Sequence, residues 1–74
     1  MNKATKQMVN AMVASIGEVQ TVYLLGGIMG ALVEMSDKAG GNFEIRSLKM
    51  TINDYFEYDI FEIQKQLWKE AQES

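Results

Sequence analysis

An all-α fold is predicted by three features of this 74-residue sequence. It contains no proline, its apolar residues recur at three- and four-residue steps, and Ser/Thr-x-x-acid capping patterns precede two apolar runs. The architecture expected is one small domain, 1–74: a helical hairpin or three-helix chain that assembles with other copies into an oligomeric bundle. Residues 43–49 are left open to a short strand.

The first segment runs from about Ala4 to Lys38. Met8, Met12, Ile16, Val19 and Tyr23 fall on one helical face. Ser15-Ile16-Gly17-Glu18 fits a capping box with Ser15 as N-cap. Either two helices, 4–14 and 16–38, or one long helix bent near Gly17 satisfies this pattern. Asp37-Lys38-Ala39-Gly40-Gly41-Asn42 marks the main turn, because Gly40 or Gly41 can take the left-handed conformation that ends a helix. In the next stretch Phe43 and Ile45 alternate with Glu44 and Arg46, as in a half-buried strand, yet nothing else in the chain could pair with it. Thr51-Ile52-Asn53-Asp54 is a second capping box, with Met50 and Tyr55 as its hydrophobic staple. It predicts a helix over 53–72 whose inner stripe is Phe56, Ile60, Ile63, Leu67 and Ala71.

The run Val22 to Val33, VYLLGGIMGALV, carries no charge and points apolar groups all around a helix. Such a helix must be surrounded, and a chain this short has at most two others to offer. Other copies are expected to supply the rest, across an interface of Val22, Leu25, Gly26, Met29, Gly30 and Val33. Gly26 and Gly30 form a GxxxG spacing, repeated one residue on by Gly27 and Ala31, which lets helix backbones approach closely. A plain turn at Gly26-Gly27 is the competing reading. A membrane span is disfavoured: the uncharged run of about 12 residues rises only about 18 Å, against a hydrocarbon core of about 30 Å. Lengthening it takes in Glu18 and Gln20.

Composition narrows the function classes. With no Cys and no His, thiolate catalysis, disulfides, Cys-based zinc sites and the commonest general base are excluded, and no catalytic residue, metal or cofactor is expected. Seven basic against ten acidic residues, net −3, disfavours nucleic-acid binding. GGIMG lacks the Lys-Ser/Thr of a phosphate loop.

The most informative surface is Asp54 to Glu62, where aromatics alternate with acids. Tyr58, Phe61 and Trp68 fall outside the expected inner stripe. Ringed by Asp54, Glu57 and Glu62, they form a candidate contact for a partner protein with a basic surface. The plainer alternative is that a broader core absorbs Phe61 and Trp68 while the acids complement a helix N-terminus. The function expected is a small, self-associating cytoplasmic adaptor or inhibitor without enzymatic activity. Two alternatives are a membrane-associated protein using residues 19–33 and an oligomeric ligand binder with a pocket near Gly26–Gly30.

Overall fold

The computed structural model describes residues 3–73. Within them lie four helices, where a hairpin or three-helix chain had been expected: α1 (Lys3–Ile16), α2 (Glu18–Lys38), α3 (Phe43–Phe56) and α4 (Ile60–Glu73). α2 is the spine, with α4 packed on it most extensively and α1 and α3 also against it. The Cα envelope measures 36 × 29 × 17 Å. Since a helix with its side chains is about 10 Å across, the shortest dimension holds no more than two layers. Val9, Val22, Met29, Ile52, Phe56, Ile60 and Phe61 form the core, and Val13, Leu25, Leu48, Tyr55 and Leu67 pack on it.

The first helix break falls at Gly17, not Ser15. Ser15 lies inside α1, and Gly17 is the N-cap residue of α2, with φ 88° and ψ 164°. Only glycine adopts that region at little cost. Thr21, fully buried, donates its hydroxyl to the Gly17 carbonyl at 2.7 Å and so satisfies itself locally. α2 ends at the expected turn. Gly40 and Gly41 take φ 105° and 92°, and the Gly41 N–H donates to the Ser36 carbonyl at 2.7 Å.

The expected strand at 43–49 is helix instead. Asn42 is extended, and its Oδ1 accepts the Ile45 N–H at 3.1 Å, an N-cap that starts α3. Four alternating residues give way to the helical stripe Ile45, Leu48, Ile52 and Phe56, whose last two members are buried.

The expected helix over 53–72 is interrupted. Thr51, Asn53 and Asp54 lie within α3, which stops at Phe56 with Glu57 in the left-handed conformation, φ 66°. The three-residue link Glu57–Asp59 ends with Asp59, whose Oδ1 accepts the backbone N–H groups of Phe61 at 3.0 Å and Glu62 at 3.4 Å. Asn53 reaches over from α3 and accepts the Ile60 N–H at 3.0 Å. The break resets the register: α4 turns Ile60 and Phe61 inward and leaves Ile63 partly in solvent.

Candidate functional site

α2 presents two faces with different fates. Its inner face is covered within the chain, because Val22, Gly26 and Met29 are buried and Leu25, Gly30 and Val33 half-buried. A Cβ at Gly26 would stand 2.7 Å from Gln64 Cβ and 3.1 Å from the Ile60 carbonyl oxygen, so here α2 and α4 touch nearly backbone to backbone. The GxxxG spacing therefore serves a helix crossing inside one chain, where a contact between copies had been expected. The plain turn at Gly26-Gly27 is ruled out, since both lie in mid-helix.

The outer face is uncovered. Leu24, Ile28, Leu32 and Met35 are between 43% and 67% exposed. Leu24, Ile28, Ala31 and Met35 follow one another at steps of four, three and four, which confines them to an arc of about 60°. That spacing is the a/d seam of a pair of packed helices. α2 is also the one helix among the described residues long and apolar enough to cross a membrane, with mean hydropathy 1.3 over its best window.

The expected acidic–aromatic surface comes apart. Phe61 is only 5% exposed and belongs to the core, because the break at Glu57–Asp59 rotates it inward. Tyr58 sits outside the helices, with its ring 5.9 Å from Phe56 and its hydroxyl donating to Glu18 Oε1 at 3.1 Å. Burial first, and then the bond to Glu18 and its charge, raise the Tyr58 phenol above its ordinary pKa of 10.0. Asp54, Glu57 and Glu62 remain exposed around the α3–α4 link, and Glu62 lies 3.6 Å from Lys65. Trp68 is 52% exposed and stands beside lysines.

Trp68 forms one wall of an open groove of about 1080 Å³ between α2 and α4. Gly27, Gly30, Ala31 and Phe61 also line it, together with Lys38, Lys49 and Lys65 from three different helices. The Lys49 ammonium stands 5.1 Å from the centre of the Phe61 ring. Glu34 and Asp37 also line the groove. Glu34 pairs with Lys38 at 3.5 Å, and Asp37 is held by the Arg46 guanidinium at 3.0 Å. Phe61 and Trp68 thus lie beside lysines as well as Glu34 and Asp37, while Tyr58 stays beside the acid Glu18. Among the described residues no group of three carboxylates gathers where a metal ion could be held. Sequence reasoning missed Lys49 and Lys65 because only the α2–α4 crossing and the break before α4 bring them to one place.

No family model, curated protein or solved structure matches this chain.

Proposed function

We propose that the protein is a non-enzymatic binding module that works as a self-associated pair, with the outer face of α2 as the self-contact. The observation that carries this reading is surplus surface. A compact monomer of 8.4 kDa exposes about 4,600 Å². This chain exposes 5332 Å², an excess of about 700 Å². A stable protein–protein interface covers about 800 Å² on each partner, so the flat shape leaves enough surface for a second copy. The seam of Leu24, Ile28, Ala31 and Met35 is where the surplus is most apolar, and a two-fold axis across it would set each residue against its own kind of surface.

A bilayer is the competing cover for α2. Moving α2 into lipid would draw it away from α4 and strip cover from Ile60 and Phe61, which are now 0% and 5% exposed. The Gly26–Gln64 contact would be lost as well. These costs favour a second copy. In the pair, Asp54, Glu57 and Glu62 remain outside and offer carboxylates to a basic partner, without the Phe61 ring as anchor.

Dilution followed by methyl NMR tests the self-contact. Concentration-dependent shifts confined to Leu24, Ile28, Ala31, Leu32 and Met35 are expected. Shifts absent from those methyls, or flotation of the protein with neutral lipid vesicles, would overturn the reading.

A further inference from the structure

We infer that the groove between α2 and α4 is a docking site for an acidic amphipathic helix of a partner protein. The inference goes beyond the binding-module reading, whose exposed acids address a basic partner, and the groove shares only Ala31 with the α2 seam. Three properties of the groove carry it. The first is size: at about 1080 Å³ the open groove exceeds the usual small-molecule pocket. The second is lining, since an apolar ridge entering the groove meets Ala31 and the half-exposed Trp68 ring, beside Gly27 and Gly30, which carry no side chain there.

The third is charge. Although the chain carries net −3, three of its seven basic side chains line this one groove. Two acids, Glu34 and Asp37, line it as well, so the lysines exceed them by one. The Glu34–Lys38 and Glu62–Lys65 pairs, at 3.5 and 3.6 Å, are solvent-exposed and therefore weak, so both lysines can exchange partners. Among the described residues Lys49 has no carboxylate within ion-pair distance, and its ammonium lies over an aromatic face instead. A helix with carboxylates flanking its apolar stripe would complete that arrangement, and a basic helix would be repelled by it.

Trp68 is the only tryptophan, so its fluorescence reports on the groove alone. The full chain is titrated with three probes. One is a twelve-residue amphipathic peptide with Leu and Phe on one face and Glu along its edges, the second is the same peptide with Lys for every Glu, and the third is dodecanoate. Saturable blue-shifted Trp68 emission is expected with the acidic peptide and not with the basic one. Lys65→Glu together with Lys38→Glu should weaken that binding about tenfold or more, while Lys69→Glu, outside the groove, should leave it unchanged. Lys38 and Lys65 are exposed, so these variants keep the fold, as circular dichroism would verify. Equal response to both peptides, no response to the acidic one, or saturation by dodecanoate alone would overturn the inference. Repeating the titration on Ile28→Glu separates the two proposals: the variant should lose self-association and still bind the acidic peptide.

Discussion

Glu57 holds a backbone conformation that suits glycine. At φ 66° it closes α3, with its N–H donating to the Asn53 carbonyl at 2.9 Å, and a side chain there costs about 1–2 kcal/mol. Glu57→Gly is therefore expected to raise stability by about 1 kcal/mol in urea unfolding, despite the greater freedom glycine gives the unfolded chain. The same residue explains why the break before α4 was not legible in the sequence. A break is read from Gly or Pro, and here an ordinary acid takes the left-handed position. The signal that did exist was Asp59-Ile60-Phe61-Glu62, an acid followed three residues later by Glu, which marks a helix start as well as Thr51 did. Tyr58, one residue on, carries a pH signature. Its phenol is raised in the folded chain, so the stability it contributes is complete below its unfolded pKa near 10 and is lost as pH rises through the higher folded value. The stability gap between wild type and Tyr58→Phe should be constant below pH 10 and shrink above it in alkaline denaturant titrations.

At the level of elements, what could be read was set by local chemistry. The turn at Gly40-Gly41 was legible because both residues need positive φ. The helical character of 18–38 was legible from its apolar spacing. α3 was not, because Phe43-Glu44-Ile45-Arg46 alternates for four residues before the stripe through Ile52 and Phe56 takes over. The GxxxG spacing correctly marked a close helix approach but could not name the partner helix, since Gln64 lies 38 positions further along. This gives opposite expectations for two glycines of one helix. Gly26→Ala would push against Gln64 Cβ and the Ile60 carbonyl and should cost about 1–3 kcal/mol. Gly30→Ala would meet only Phe61 at 3.7 Å, an ordinary contact, and should gain up to about 1 kcal/mol from helix propensity. Paired thermal unfolding curves check both signs.

For the whole molecule, thinness is the governing fact. A two-layer arrangement 17 Å thick covers one side of α2 with the remainder of the chain and leaves its opposite side bare. The sequence conveyed that α2 is apolar on more than one side. It did not convey which sides: Val22, Gly26 and Met29 turned inward, and Leu24, Ile28 and Met35 took the outer place. That division depends on the α2–α4 crossing, which no local pattern encodes. Ile28 stands in the middle of the outer seam, so Ile28→Glu puts two charges into a symmetric contact and little else changes in the single chain.

Sedimentation equilibrium of wild type and Ile28→Glu, run from low to high micromolar concentration, tests this most directly. Wild type is expected to rise with concentration toward twice the 8.4 kDa chain mass, while the variant stays at the single-chain mass and remains helical. A wild-type mass fixed at 8.4 kDa throughout, or a variant that associates as wild type does, would contradict the account.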